Sequence, residues 1–188
     1  YFTKMLSKIS KQVYSFEPID YLFENQKYLF KNSNVINFNL ALGSKKQVKK
    51  FYIPIGNDPE SSLIKKKNSH IINVLVNKGD NLIENKNIDF IKIDVEGSEL
   101  EVIIGLQKII KKNHPLLLIE IEKRHNKDYF KVFKYLLKKK YHVYYLDKQK
   151  MNLKKLNINR LNHFFNQKQN ILELETEKYI NNFFFKPF

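Results

Sequence analysis

One stretch decides the fold of this chain: Asp89-Phe90-Ile91-Lys92-Ile93-Asp94-Val95-Glu96-Gly97-Ser98-Glu99. Its apolar run, residues 88–93, is typical of a short buried strand. Asp94 and Glu96 follow this run directly, and Gly97 separates them from the start of a helical pattern. Carboxylates at the end of a buried strand are costly unless they bind something, and open α/β sheets bind ligands at the carboxyl ends of their strands. The stretch therefore predicts an acidic binding site.

Strand and helix patterns alternate on both sides of this stretch. A helical spacing of apolar residues starts after Gly97, where Ser98 and Glu101 fit a capping box. The alternation predicts a mostly parallel sheet covered by helices on both faces, which is a three-layer α/β fold forming one domain over residues 1–188. The predicted strands are residues 13–16, 35–40, 88–93, 116–121 and 142–146. Predicted helices begin near residues 2, 18, 98 and 129.

Two segments depart from this alternation. Residues 43–87 are interpreted as an insertion that is either a substrate lid or decoration, because a polar loop joins its two predicted strands. Those two strands are residues 51–55 and 71–76. Residues 148–188 form the tail, in which 162–165 and 171–174 are predicted to pair as a terminal antiparallel hairpin.

The chain is strongly basic, with a net charge of +15. This charge fits either a polyanionic partner, such as RNA or a membrane surface, or lysine-rich faces that are simply solvated. The lysines are spread along the whole length and the only arginines are Arg124 and Arg160, whereas proteins that read bases usually rely on arginine forks. Solvated faces are the favoured interpretation, and an RNA-binding or RNA-modifying domain is kept as an alternative.

Length and composition exclude several classes of protein. A chain of 188 residues suits one domain with one core. The absence of cysteine excludes a disulfide scaffold, a cysteine nucleophile and a thiolate metal site. No apolar run approaches the length that spans a membrane, and the expected location is the cytoplasm. The first residue is Tyr1 rather than methionine, so the sequence is interpreted as a fragment.

Acidic residues recur at the ends of the predicted strands. Glu17 follows the first strand, Asp94 and Glu96 follow the central one, and Glu120 ends a later one, just before Glu122. In a doubly wound sheet these ends share one edge, where an acid after the second strand can bind ribose hydroxyls. Glu17 alone fits a helix cap as well as a ribose ligand. The prediction therefore depends on the whole set of acids.

Five segments occur here in the order found in FkbM-type methyltransferases, which the sequence resembles from Tyr1 to about Leu146. The segments are Phe16-Glu17-Pro18, Asn39-Leu40-Ala41-Leu42-Gly43, Ile91-Lys92-Ile93-Asp94-Val95-Glu96-Gly97-Ser98-Glu99, Gly105 and Pro115-Leu116-Leu117-Leu118-Ile119-Glu120. Ser61-Ser62-Leu63 also looks like a short serine motif of that family's insertion. The resemblance implies a Rossmann-like class I methyltransferase fold with an antiparallel terminal strand. It also implies S-adenosylmethionine as cofactor and methyl transfer to a hydroxyl of a carbohydrate or other small molecule.

The resemblance further implies roles for single residues. Glu17, followed by Pro18, would hold the ribose of the cofactor, and Ala41 and Leu42 would lie beside its adenine. Asp94 would lie near the methionine end and the transferred methyl group. No metal ligand is assigned, although Mg²⁺ at the acids would be compatible with the pattern.

A methyltransferase of this kind needs a base. Methyl transfer is an in-line displacement that depends on alignment of the acceptor oxygen, and it gains from a carboxylate that takes the hydroxyl proton. Asp94, Glu96 and Glu120 are the candidate catalytic residues, and the resemblance implies that the last two face the acceptor. His125 is a fourth candidate, but basic neighbours such as Arg124 favour a surface position.

The glycines depart from the family pattern. The family's first strand and glycine-rich loop would precede Tyr1, and the five glycines of this chain are scattered. An amino-terminally truncated fold is therefore expected, in which the strands ending at Phe16 and Ile93 either leave a gap or pair directly. Lys78-Gly79-Asp80 is a milder departure, since family members more often carry a Leu-Asp pair there. A non-catalytic remnant with this fold is the remaining alternative.

Overall fold

A computed structural model shows a mixed α/β protein. It describes residues 2–56, 61–65, 67–83, 86–169 and 178–188. The helices, numbered in chain order, are α1 Phe2–Ser7, α2 Asp20–Leu29, α3 Asp80–Ile83, α4 Glu99–Gly105, α5 Gln107–Asn113, α6 Tyr129–Lys138 and α7 Leu161–Lys168. The strands are β1 Val13–Phe16, β2 Val35–Phe38, β3 Ala41–Leu42, β4 Gln47–Pro54, β5 Ser69–Asn77, β6 Phe90–Ile93, β7 Leu116–Glu120, β8 Tyr141–Asp147, β9 Asn152–Lys155 and β10 Asn182–Pro187. No helix in the described ranges is both long and apolar enough to cross a membrane.

The largest sheet has five strands in the order β6-β7-β10-β8-β9. β6 and β7 are parallel, with Ile93 opposite Ile119, whereas β10 is antiparallel to both of its neighbours, β7 and β8. The parallel pair confirms that the predicted strands ending at Ile93 and Ile121 share an edge. Asp94 and Glu120 are therefore brought to the same end of the sheet.

The other strands form two smaller sheets. β1 and β2 are parallel, with Val13 opposite Val35, and β3, β5 and β4 form a third sheet in which β5 is antiparallel to β4. Within the described ranges β1 does not pair with β6. Of the two outcomes expected for the strands ending at Phe16 and Ile93, direct pairing is therefore not observed. Phe16 nevertheless stacks on Phe38 at 4.9 Å between ring centroids, and both pack against the main core.

The main core lies on the five-stranded sheet, under α4, α5, α6 and α7. Tyr129, Val132, Phe133 and Leu136 follow the helical period along α6 and are all buried. The Phe133 ring lies 5.2 Å from that of Phe183 on β10, centroid to centroid. Burial of each such aromatic side chain contributes roughly 2–3 kcal/mol, so the aromatic cluster fixes β10 in the middle of the sheet.

Residues 43–87 contribute β4 and β5 to the smaller sheet, in which β5 also pairs with β3. The two strands predicted there are confirmed, although both are longer, as β4 and β5. Inward-facing residues of these strands, including Phe51 and Val76, pack with Ile19 and Ala41 in a second core cluster. Most of the predicted loop between them, residues 57–60, lies outside the described residues.

Three predictions about local structure are wrong. The capping box predicted at Ser98 and Glu101 does not form, since Ser98 makes no side-chain cap hydrogen bond and the Glu101 carboxylate accepts from Ser44 Oγ instead. Residues 162–165 were expected in a hairpin strand but lie in α7, because Leu161 and Phe165, four positions apart, are buried on one helix face. The predicted partner strand, residues 171–174, lies outside the described residues. The single helix predicted after Gly97 is two helices, α4 and α5. Asp80 caps the second one, since its carboxylate accepts hydrogen bonds from the backbone N–H groups of Lys108 and Ile109.

Candidate functional site

Acidic side chains line a small, closely packed pocket at the carboxyl ends of β6 and β7. Asp94 and Glu96 follow β6, and Glu120 ends β7. The lining residues are Asp94, Glu96, Glu99, Glu120, Glu122 and His125. The three predicted catalytic acids therefore lie together, as the parallel pairing of β6 and β7 requires.

Lys92 supplies an internal positive charge to this pocket. Its side chain is only 9 % exposed, and its Nζ lies 3.5 Å from Asp94 Oδ2 and 3.6 Å from Glu120 Oε2. The ammonium also donates to Asn182 Oδ1 at 3.0 Å and lies 5.0 Å from the centre of the Phe2 ring. These contacts offset the cost of burying a lysine charge beside the sheet.

Glu120 is the most strongly perturbed carboxyl group in the pocket. Burial and the negative charge of Asp94 raise its pKa to about 7, while the Lys92 charge acts in the opposite direction. Its Oε1 accepts a hydrogen bond from Asn181 Nδ2 at 2.7 Å. A carboxyl group with this pKa is partly ionised at neutral pH and can both accept and return a proton.

The turn after β6 is held in an unusual backbone conformation. Glu96 has φ of 47° and Gly97 has φ of 100°, both in the left-handed region. Ser62 Oγ donates to the Glu96 carbonyl oxygen at 2.8 Å, which ties the segment after β4 to this turn. Side-chain oxygens of Glu99 accept from the Gly97 N–H at 2.6 Å and from Asn126 Nδ2 at 2.8 Å. Strained backbone that is held in place by several hydrogen bonds is typical of functional sites.

His125 is not the surface residue that its basic neighbours suggested. Its side chain is 11 % exposed, and Nε2 lies 2.9 Å from Glu96 Oε2 and 3.5 Å from Glu122 Oε2. Burial acts to raise the pKa of Glu122, but hydrogen bonds from Arg124 and Asn181 and the nearby positive charges outweigh it and lower that pKa. The tight turn after β7, in which the backbone N–H of His125 donates to the Glu122 carbonyl, places the imidazole over the acids.

All but one of the predicted cofactor residues lie outside this pocket. Glu17 follows β1, and its Oε1 accepts from the N–H of Ile19 at 2.9 Å, so it does act as a local cap; burial raises its pKa. Pro18 is next to it, half-buried, while Ala41 and Leu42 form β3. Of the predicted cofactor residues, the structure brings only Asp94 into the acidic pocket.

The three acids also have a spacing that a cation could bridge. Asp94, Glu96 and Glu120 each offer an oxygen within 4.8 Å of the others. The ammonium of Lys92 already lies close to two of them. The pocket thus has its own counter-charge, and no metal is assigned to it.

Asn181, Asn182, Lys92 and Glu99 are site residues that sequence reasoning missed. Lys92 and Glu99 belong to the stretch of residues 89–99. Strand alternation could have placed Lys92, and the position of Glu99 after Gly97 could have placed that residue. The two asparagines precede or start a strand in the tail, and no local pattern placed that strand beside β7.

Comparison with known proteins identifies the family to which this chain belongs. A family model described as methyltransferase FkbM domain matches residues 1–144. The crystal structure of methyltransferase FkbM from Methylobacillus flagellatus KT superposes with a TM-score of 0.56 at 16 % identity, covering 93 % of this chain and 36 % of that one, so the chain spans about a third of that protein. A search of curated proteins gave no match. Because the family model covers well over half of the 188 residues, this chain belongs to the methyltransferase FkbM domain family.

Proposed function

We propose that this protein transfers a methyl group from S-adenosylmethionine to a hydroxyl of a sugar or other small molecule. Family membership supports methyl transfer as the reaction. The observation that most supports a hydroxyl group as the acceptor is the environment of the Glu120 carboxyl group. It lies at the end of a parallel strand, beside Asp94, and burial raises its pKa to about 7. That is the group expected of a base that deprotonates a hydroxyl near neutral pH.

The proposed fold is the Rossmann-like class I methyltransferase arrangement. Under this proposal the β1-β2 pair and the β6-β7-β10-β8 strands are two halves of one sheet, with their parallel carboxyl ends on one edge. The antiparallel β10 between β7 and β8 supports the proposal, because the family resemblance implies an antiparallel terminal strand, although residues 162–165 and 171–174 were predicted to supply it. Among the described strands, β1 pairs with β2 alone and β6 with β7 alone, so each has one edge without a strand partner.

The proposed cofactor site lies where β1 and β2 end. Glu17 and Pro18 would hold the ribose, Ala41 and Leu42 would lie beside the adenine, and Asp94 would lie near the methionine end. The side-chain oxygen of Asn37 on β2 supports a ligand here, since it is buried and has no hydrogen-bond partner within the described chain. Such an acceptor fits a hydroxyl or amine donor.

The proposed chemistry assigns different tasks to the three acids. When bound, S-adenosylmethionine supplies a methyl group on a positively charged sulfonium. Glu120 takes the proton of the acceptor hydroxyl, and Asp94, whose side chain is 45 % exposed, orients groups at the pocket mouth. Glu96 Oε2 lies 2.9 Å from His125 Nε2, without a hydrogen bond between the two atoms, and Glu96 is assigned to shaping the site rather than to proton transfer.

Methyl transfer from radiolabelled S-adenosylmethionine to a panel of neutral sugars and small alcohols tests this proposal. We expect E120Q to lower the rate about 10²-fold to 10⁴-fold, the range typical of loss of a general base, while cofactor affinity stays near that of the wild type. E24Q is the matched control, because Glu24 is exposed and pairs with a surface lysine, Lys27. An E120Q rate equal to that of E24Q would refute the role of Glu120. Failure of the wild-type protein, with any residues encoded before Tyr1 included, to bind the cofactor in calorimetric titration would refute the proposed function itself.

A further inference from the structure

Two consecutive asparagines in the tail contact the centre of the acidic pocket. Asn181 precedes β10 and Asn182 is its first residue, and both lie beyond residues 1–144, the part that matches the family. The pairing of β10 with β7 places Asn182 directly opposite Glu120. The Asn181 carbonyl accepts from the Ile121 N–H at 2.7 Å, which fixes the backbone beside the site.

The side chain of Asn181 bridges two carboxylates. Its Nδ2 donates to Glu120 Oε1 at 2.7 Å and to Glu122 Oε1 at 2.9 Å. An amide nitrogen has two hydrogens, so this group can serve both acceptors at once. The two acids are therefore held apart and oriented by one neutral donor.

The side chain of Asn182 links that bridge to the buried lysine. Its Oδ1 accepts from Lys92 Nζ at 3.0 Å, and its Nδ2 donates to Asn181 Oδ1 at 2.9 Å and lies 3.5 Å from Glu120 Oε2. Both oxygens of Glu120 thus face donors supplied by the carboxyl-terminal strand. Lys92, Asn182, Asn181 and Glu120 form one continuous polar network.

We propose that Asn181 and Asn182 are positioning residues for Glu120, and that the strand β10 is therefore part of the active site rather than only a structural edge of the domain. This inference rests on the proposed role of Glu120 as the base. Amide donors hold the carboxylate in one orientation and favour its ionised form, which a proton acceptor needs. They also keep the neighbouring Glu122 from competing for the same proton.

A purely structural role is the competing explanation, because the asparagines could serve only to secure β10 on β7. The two roles differ in their effect on the titration of Glu120. Loss of a donor that binds the ionised carboxylate must raise the pKa of Glu120. Loss of a strand contact lowers the stability of the fold without changing that pKa.

Nuclear magnetic resonance titration of the full chain, without cofactor or acceptor, distinguishes these roles. In the wild type we expect the Asn181 side-chain amide signals and the Glu120 carboxyl signal to shift together with a midpoint near pH 7. In N181L, which removes the donor at similar volume, the Glu120 midpoint should rise by at least about one pH unit. N73L is the matched control, because Asn73 is exposed on β5 in another sheet.

A midpoint of the Glu120 carboxyl signal that is the same in N181L as in N73L would overturn the proposal. If N181L does not fold, N181A replaces it, since alanine removes the same donor, and a Glu120 midpoint in N181A equal to that in N73L would equally overturn the proposal. Glu122 does not confuse this measurement, because its pKa is lowered rather than raised. None of these outcomes requires methyl transfer, so failure here is separate from failure of the proposed function.

Discussion

The ammonium of Lys92 lies 3.6 Å from the carboxylate of Glu120, and both groups are largely removed from water. Lys92 projects from β6 and Glu120 from the end of β7, so the parallel register of the two strands sets their separation. A second carboxylate, Asp94, lies 3.5 Å from the same ammonium. This one lysine therefore balances negative charges that would otherwise repel each other at the centre of the pocket.

Replacing Lys92 by methionine should destabilise the fold in a pH-dependent manner. At pH 8 both Asp94 and Glu120 are ionised and lose their shared counter-charge, so we expect a loss of about 1–3 kcal/mol in the free energy of unfolding. At pH 5 Glu120 carries a proton in the folded state, and the loss should be smaller. Urea unfolding followed by circular dichroism at the two pH values measures the difference.

K27M serves as the control for that experiment. Lys27 pairs with Glu24 on the surface, where both side chains are 62 % exposed. Exposed pairs of this kind contribute at most about 1 kcal/mol, so K27M should have a small effect at both pH values. Equal destabilisation by K92M at pH 5 and pH 8 would contradict the charge-balancing role of Lys92.

The raised pKa of Glu120 predicts how its own replacement changes stability with pH. The folded pKa of about 7 is above the ordinary value of 4.5, so the folded state binds the proton more tightly than the unfolded chain. The stabilisation from this group is fully present below pH 4.5 and is lost as the pH rises through 7. After discounting for solvent screening, we expect this loss to be on the order of 1–2 kcal/mol.

Urea unfolding of the wild type and E120Q between pH 4.5 and pH 8 isolates that contribution. Other carboxyl groups, including Glu17 and Glu99, add their own pH dependence to both proteins and cancel in the difference. The stability of E120Q should decline less than that of the wild type over this range. Parallel curves for the two proteins would show that Glu120 titrates at its ordinary pH.

Much of the site could be predicted because its residues follow strands with clear apolar runs. Asp94 and Glu96 come directly after one such run and Glu120 ends another, and parallel pairing alone brings strand ends together. His125 could not be placed in this way. Its burial depends on a tight turn after β7, whereas its charged neighbours in the sequence suggested a surface position.

The tail was harder to predict for a different reason. Phe183 and Phe185 are buried in the middle of the largest sheet, yet the run that contains them is short and follows a polar segment. Residues 162–165 have two adjacent phenylalanines, which suit a strand or a helix equally over so few positions. Only the packing of Phe165 against Phe133 and Phe183 decides for the helix.

His125 should prove more important for stability than a histidine on the surface. Replacement by alanine removes its contacts with Glu96 and Glu122 and leaves both carboxylates in the pocket without that partner. We expect H125A to lower the free energy of unfolding by about 1–3 kcal/mol. H163A is the control, because His163 is exposed on α7 and should change stability by less than about 0.5 kcal/mol. Similar effects of the two substitutions would show that the pocket does not depend on the imidazole.

Gly97 provides the sharpest test of the strained turn after β6, because Gly56 offers a matched control. Both have positive φ, 100° and 78°, so alanine is strained at either position. A Cβ at Gly56 meets no described residue within 4 Å, whereas one at Gly97 would lie 2.6 Å from the backbone oxygen of His125 and 2.6 Å from Ile64 Cδ1.

We therefore expect G56A to lower the free energy of unfolding by about 1 kcal/mol, which is the effect of the left-handed backbone alone. G97A should cost at least about 2–3 kcal/mol, because the turn after β7 must move away from the new methyl group. That movement would also carry His125 away from Glu96, so G97A should change the carboxyl signals of the pocket in a nuclear magnetic resonance spectrum and G56A should not. Equal losses of stability, with the pocket signals unchanged in G97A, would mean that the two turns are not packed against each other as the structure shows.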